Sequence, residues 1–471
     1  MAADFIVSKD FIKPAEPEFF DEYLRMYPEG REALEKYQAE HPGQRAMAVK
    51  SVTIIVTENC NLRCSYCYQH AKNAQHVMSR ETARQVVDLL FEEDAKENPY
   101  LNPSVAQALV LDFIGGEPLL AVELMDYFMQ YFLWKAVTLN HRWAIHYMIS
   151  ISSNGTLMNT EAVRRFLTLY KGRASLGITI DGDKALHDAC RRYPDGSPSY
   201  DIVAAGVRLG QQKYGVSRVT KLTLAPANVQ YLFGAVKNLK ESFDFSGVYA
   251  NCVYEPGWTL DHARVLYAQM KELADWMLEG EVYREFFCTL FNQRTGQPMA
   301  PEDDENWCGG TGSMLCFTTE GNITPCLRYT RFNLNDRQPE IRIGNLETGI
   351  ANAPEHKAVI EGLEKIGRRS QSTDRCFHCP IAMGCAWCSA FNYEETGTPN
   401  KRVTYICPMH KARVLANVYY WNKLFRNHGL PDRYPMHVPH DWAVEIVGEA
   451  EFQALTALAN ESGALTERKL E

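Results

Sequence analysis

The chain has 471 residues, 46% of them hydrophobic, enough for one large core and a smaller module. Lys and Arg number 49 against 58 Asp and Glu, a net charge of −9, so no basic face suited to nucleic acid is implied. The opening MAADFIVSKDFIK lacks an apolar signal core and no run of about 20 apolar residues occurs, so no membrane segment is expected and the location is read as cytoplasmic.

Residues 1–48 are charged and aromatic, with helical patterns in FFDEYLRMY and EALEKYQAEH, so an N-terminal helical extension is expected. From Ser51 the pattern becomes regular. Short β-branched runs (SVTIIVT, ALVLDFI, AIHYMISIS, SLGITID, RVTKLTLA and GVYANCVY) alternate with amphipathic stretches such as SRETARQVVDLLFEEDA and AVELMDYFMQYFLWKAV. Six successive β/α units over residues 49–299 give an α/β fold, a partial (β/α)6 TIM-like barrel, with an open doubly wound sheet as the alternative. TENC, GGEP, SSNG and IDGD each follow a strand, on the face where parallel α/β folds bind ligands. Residues 300–412 lose the rhythm, are rich in Cys, Gly and Pro, and read as a C-terminal module held by metal more than by an apolar core. Residues 413–471 return to a helical pattern, with YYWNKLF as a packing face.

Fourteen cysteines in a chain of this kind point to metal binding or catalysis, because disulfides are disfavoured in the cytosol. Eleven fall into three groups. Cys60, Cys64 and Cys67 lie in ENCNLRCSYCYQH, after the first strand. Three thiolates leave one iron of a four-iron cubane open to an outside ligand; a zinc site with His70 as fourth donor is the alternative. Cys308, Cys316 and Cys326, then Cys376, Cys379, Cys385, Cys388 and Cys407, supply thiolates for two four-thiolate sites, of iron–sulfur or zinc type. Cys190, Cys252 and Cys288 are scattered and read as small core hydrophobes. Asp303, Asp304 and Glu305 beside Trp307 read as a solvated acidic turn and His187 as a satisfied helix residue, while Glu255, ending the sixth strand, fits a functional or a structural role equally.

The first cysteine group and the segments after the strands resemble the radical S-adenosylmethionine (SAM) enzymes. Their CxxxCxxC motif, with an aromatic residue before the last cysteine, corresponds to Cys60, Cys64, Tyr66 and Cys67, and Gly115, Gly116, Glu117 and Pro118 correspond to their GGEP segment. The resemblance implies that the GGEP backbone and Glu117 hold the amino group of the methionine moiety. It places Ser152, Ser153 and Asn154 at the ribose and carboxylate, with Asp181 and Arg191 near the same ligand. It also implies reduction of a [4Fe–4S] cluster, cleavage of SAM to a 5′-deoxyadenosyl radical, and hydrogen abstraction from a substrate.

The cysteine-rich module is similar to the SPASM domain, which carries two auxiliary [4Fe–4S] clusters, so the implied cofactors are SAM and three [4Fe–4S] clusters. By position, Cys308, Cys316, Cys326 and Cys388 hold the first auxiliary cluster, and Cys376, Cys379, Cys385 and Cys407 the second. The family pattern has three residues before the cysteine matching Cys388; this chain has two. The resemblance extends to maturases that build thioether cross-links in ribosomally made, cysteine-rich precursor peptides. It implies such a peptide and a low-potential ferredoxin- or flavodoxin-type donor as partners. An anaerobic sulfatase-maturating enzyme forming formylglycine is the alternative; a non-catalytic, zinc-stabilised binding scaffold is the alternative from another class.

Overall fold

A computed structural model describes residues 5–7, 12–14, 48–69, 72, 75–243, 245–304, 306, 308–428 and 432–467. All six expected strands are present: β1 (Val49–Thr57), β2 (Ala108–Gly115), β3 (Tyr147–Ser153), β4 (Ala174–Ile178), β5 (Val219–Leu224) and β6 (Gly247–Cys252). β1 to β4 pair in parallel and in chain order, as do β5 and β6. One parallel bridge, Thr179 to Lys221, joins the two halves. The result is the expected partial barrel.

Strand alternation separates two faces. Val52, Leu111 and Ile149 are in register, as are Ile54, Phe113 and Ile151, and all six are buried. This face packs on the crossover helices. The Phe113 ring meets Phe128 of α2 (Val122–Thr138) edge-on at 5.3 Å. The alternate row is polar: Thr53, Asp112 and Ser150 align across β1, β2 and β3, and Asp112 bonds both hydroxyls. It faces the concave interior. α1 (Arg80–Ala95) begins where its sequence signals, with the Ser79 hydroxyl accepting from the Thr82 amide at 2.9 Å.

Three features depart from the sequence reading. The cysteine-rich module shares the barrel's sheet. Residues Leu315–Phe317 pair in parallel with β1, and Asn322–Thr324, Gly344–Asn345 and Gly349–Ile350 continue the sheet antiparallel beyond them. Leu315, Phe317, Ile323, Ile343 and Ile350 are fully buried. An apolar core therefore holds this module together with its thiols. The expected boundary at residue 412 also falls inside one continuous helix, α8 (Cys407–Asn427), which packs on α7 (Leu260–Glu279) of the sixth β/α unit. Tyr419 and Lys423 of α8 both donate to Asp275 of α7, at 2.6 and 2.9 Å. The helices α9 (His440–Val447) and α10 (Glu449–Glu467) follow. Near the N-terminus, Phe5–Val7 and Ile12–Pro14 pair antiparallel, where the reading expected only helix. The expected helices in FFDEYLRMY and EALEKYQAEH lie outside the described residues.

Candidate functional site

β1 ends in a bulge between Ile55 and Thr57, and the chain turns into the loop carrying Cys60, Cys64 and Cys67. The glycine pair after β2 lets this loop approach. The Gly116 amide donates to Thr57 O at 3.0 Å and the Glu117 amide to Asn59 O at 2.8 Å. A Cβ on Gly115 would stand 2.1 Å from Thr57 O, and one on Gly116 would stand 2.3 Å from Asn59 O and 2.9 Å from Cys60 Cβ. The glycines are required by contact with the cysteine loop.

Glu117 caps the short turn Pro118–Ala121. Its carboxylate is buried and accepts from Ser153 Oγ at 2.7 Å, the Asn154 amide at 2.7 Å and the Leu119 amide at 3.1 Å. Burial pushes its pKa up, and these bonds oppose the shift. Asn154 Nδ2 donates to Asn61 Oδ1 at 2.8 Å and lies 3.9 Å from Cys60 Sγ, tying the end of β3 to the first thiol. Ser152 is on the opposite, concave face and is exposed there. Of the three β3-end residues, Ser153 and Asn154 are engaged with Glu117, while Ser152 is open to the cavity.

Asp181 is fully buried. Its Oδ2 accepts from Tyr66 Oη and from Arg191 Nε at 2.9 Å, and its Oδ1 has no hydrogen-bond partner among the described residues. A carboxylate oxygen in that position wants a donor from a ligand. Arg191 Nη1 reaches Cys64 Sγ at 3.7 Å, and its guanidinium lies 5.6 Å from the Tyr66 ring centre. His187 holds this group in place: its Nδ1 accepts from the Asp181 amide at 3.2 Å, so Nε2 carries the proton toward Ser199 Oγ at 3.0 Å. Burial lowers its pKa to about 4, which fits the neutral ring. His187 is the satisfied residue the sequence suggested.

Burial pushes the Cys60 thiol up to about 11 and raises Cys64, with Arg191 opposing the latter. Iron binding here therefore releases protons. His70 lies outside the described residues. Among those described, no three His, Cys, Asp or Glu side chains stand close enough to share one metal ion.

The module's thiols fall into two electrostatic neighbourhoods. Cys326 lies within electrostatic reach of Cys308, Cys316 and Cys388, and Cys308 Sγ lies 3.2 Å from Ser389 Oγ. Cys376, Cys379, Cys385 and Cys407 form the second set. Cys388 caps the helix Ser389–Thr396 and lies within electrostatic reach of Cys308 and Cys326. Residues 301–304 are exposed and serve the module's backbone: Asp304 Oδ1 accepts from the Arg369 amide at 2.6 Å. Glu305 and Trp307 are outside the described residues.

Sequence reasoning missed Tyr68 and Arg328. Arg328 Nη2 donates to Glu255 Oε1 at 3.1 Å and Glu394 Oε2 at 3.4 Å, and its guanidinium stacks 4.2 Å from the Tyr68 ring centre. Glu255 thereby links the sixth strand to the module. Lys221, on β5 at the seam of the barrel, was also missed; it lies near Asp181 and Arg191.

Residues 54–267 match the Radical SAM superfamily. The protein is an enzyme with a radical SAM domain over those residues. It uses SAM and a [4Fe–4S] cluster. The chain is similar to the serine-type anaerobic sulfatase-maturating enzyme of Bacteroides thetaiotaomicron, at 23% identity over 382 residues, 74% of this chain and 84% of that one. It is also similar to the cysteine-type enzyme of Clostridium novyi, at 26% over 172 residues, 34% of this chain and 41% of that one. The solved structure of anSMEcpe with bound AdoMet and Cp18Cys peptide superposes with a TM-score of 0.58 at 18% identity, covering 81% of this chain and 99% of that one. That likeness carries the shared fold of this enzyme through both barrel and module. No helix among the described residues is long and apolar enough to cross a membrane.

Proposed function

We propose that this enzyme matures a ribosomally made, cysteine-rich peptide by thioether cross-linking. The observation that supports the reading is the grouping of eight module thiols into two electrostatic neighbourhoods of four, one of which adjoins the Cys67–Tyr68 loop through Arg328. In this reading Cys60, Cys64 and Cys67 hold the SAM-binding [4Fe–4S] cluster, and the module's sets hold two auxiliary clusters of the same type. Ser152 and the free Oδ1 of Asp181 meet the bound cofactor; Glu117, Ser153 and Asn154 keep the loop behind it rigid. When bound, SAM and its reduced cluster supply the carbon radical that removes a hydrogen atom from the peptide. Bonding of a peptide thiol to the resulting carbon centre releases one proton and one electron. Full thiolate ligation leaves the auxiliary clusters no open iron, which suits them to accept that electron. Arg191 beside Cys64 offsets the negative charge of the first cluster.

A second reading, conversion of a Ser or Cys to formylglycine, is supported by the two sulfatase-maturating relatives. Incubating the anaerobically reconstituted enzyme with SAM, reductant and either a cysteine-rich precursor peptide or a sulfatase-derived peptide separates the two. Thioether formation gives a product two hydrogens lighter whose participating thiol resists alkylation. Hydrazide-reactive aldehyde in the sulfatase peptide, with no change in the cysteine-rich one, would establish the second reading instead.

A further inference from the structure

The two auxiliary sets differ in their surroundings. In the first, Cys316 is fully buried, Cys308, Cys326 and Cys388 are half-buried, and Arg328 beside Cys388 is paired by two glutamates. The second reaches the surface at Cys407, which alone among the fourteen cysteines is exposed.

Arg375, Arg402 and Lys411 all lie within electrostatic reach of Cys407. Arg375 and Lys411 both contact the Trp442 ring, at 5.2 and 4.0 Å from its centre. Among the described residues no carboxylate forms an ion pair with any of these three cations. Asp374, next to Arg375, is taken by His378 at 3.2 Å, and Lys401 adds a further exposed cation. Such a concentration of unpaired positive charge runs against a chain of net charge −9. Half-buried Arg413, on the same helix as Cys407 and Lys411, donates to the carbonyls of Thr289 and Leu290, at 2.7 and 2.9 Å. Cationic surface, shared aromatic ring and exposed thiol coincide at one place.

We propose that Arg375, Arg402, Lys411 and Trp442 form the docking site for an acidic one-electron carrier protein, which exchanges electrons with the module's second auxiliary cluster. This rests on the cluster assignment made above. The exchange is a single electron: the reduced cluster passes from [4Fe–4S]1+ to [4Fe–4S]2+ while an oxidised flavin carrier becomes its semiquinone. Opposite charges steer the encounter, so its rate depends on ionic strength.

The test uses the full chain, reconstituted with iron and sulfide and reduced anaerobically. Wild type and Arg375→Glu/Lys411→Glu are mixed in a stopped-flow instrument with oxidised flavodoxin, an acidic carrier, and separately with neutral benzoquinone. At low salt the double variant should reduce flavodoxin at least tenfold more slowly than wild type and benzoquinone at the same rate, and salt should slow the wild-type reaction. Where charge reversal lowers iron content, Arg375→Gln/Lys411→Gln replaces it, with about a threefold fall expected. Equal flavodoxin rates in wild type and an iron-replete variant overturn the docking site alone. Iron and sulfide in wild type sufficient for only the first two clusters overturn the cluster assignment, and the docking site with it.

Discussion

The guanidinium of Arg328 stacks 4.2 Å from the centre of the Tyr68 ring, so one cation touches the residue after Cys67 while lying two residues beyond Cys326. It also neighbours Cys388. A positive charge there favours the more reduced, more negative state of a cluster held by Cys326 and Cys388. Removing it takes the cation from Glu255 and leaves Glu394 only the more distant Arg337, at 3.6 Å, which acts in the same direction. Arg328→Gln should therefore shift the potential of the first auxiliary cluster to more negative values, with Arg328→Lys restoring most of it. An EPR-monitored redox titration reads the shift; identical potentials in all three proteins would contradict the role given to Arg328.

Asp181 and Arg191 form a buried pair, 0% and 9% exposed at their side chains, and Asp181 Oδ1 awaits a donor. Asp181→Asn removes the charge that balances Arg191 and reverses the polarity of one contact. A hydrogen bond to a charged group contributes about 1.5–3 kcal/mol, so the Kd for SAM should rise roughly tenfold to a hundredfold. Anaerobic equilibrium binding measures this. Unchanged affinity would remove Asp181 from the SAM site.

Gly116→Ala sets a methyl group against Asn59 O and Cys60 Cβ. Both are held by short-range backbone contacts, so the cysteine loop must shift. The variant should lose the iron of the first site and keep that of the module. Iron and sulfide analysis at full wild-type content would show that the loop tolerates the methyl group.

His187 and His410 are buried and neutral, each with a pKa lowered to about 4 by burial. Unfolded, both bind protons near 6.5. The unfolded state therefore holds more protons between these values, and stability falls as pH drops from about 6.5 to about 4. At pH 5 each ring contributes about 2 kcal/mol of this loss. His187→Asn keeps an acceptor for the Asp181 amide without the titration. Its stability, measured by chemical denaturation, should fall less than that of wild type between pH 7 and pH 5. An equal fall would place the acid sensitivity elsewhere.

The barrel was legible because each strand is a β-branched run and each crossover has helical spacing. Strand-end motifs such as Gly115–Pro118 located the site for the same reason. The module's link to the barrel was not legible: Leu315–Phe317 is a three-residue strand, too short to show a period, and it pairs with Val52–Ile54 across more than 250 residues of chain. Nor does local sequence distinguish Ser152 from Ser153; strand register sends one to the cavity and the other to Glu117. Cys385 and Cys388 look like one CxxC pair, yet Cys388 neighbours Cys308 and Cys326 while Cys385 neighbours Cys376, Cys379 and Cys407. Arg328 carries no motif, and its role comes from Tyr68, Glu255 and Glu394, which lie far from it in sequence.

The central claim is radical initiation at Cys60, Cys64 and Cys67. The direct measurement is 5′-deoxyadenosine production from SAM by the anaerobically reconstituted, reduced enzyme, beside Cys60→Ala/Cys64→Ala/Cys67→Ala. We expect turnover in wild type and none in the triple variant, whose module should retain its iron. Equal turnover in both proteins, or none in a wild type with intact reduced clusters, would contradict the assignment of that loop.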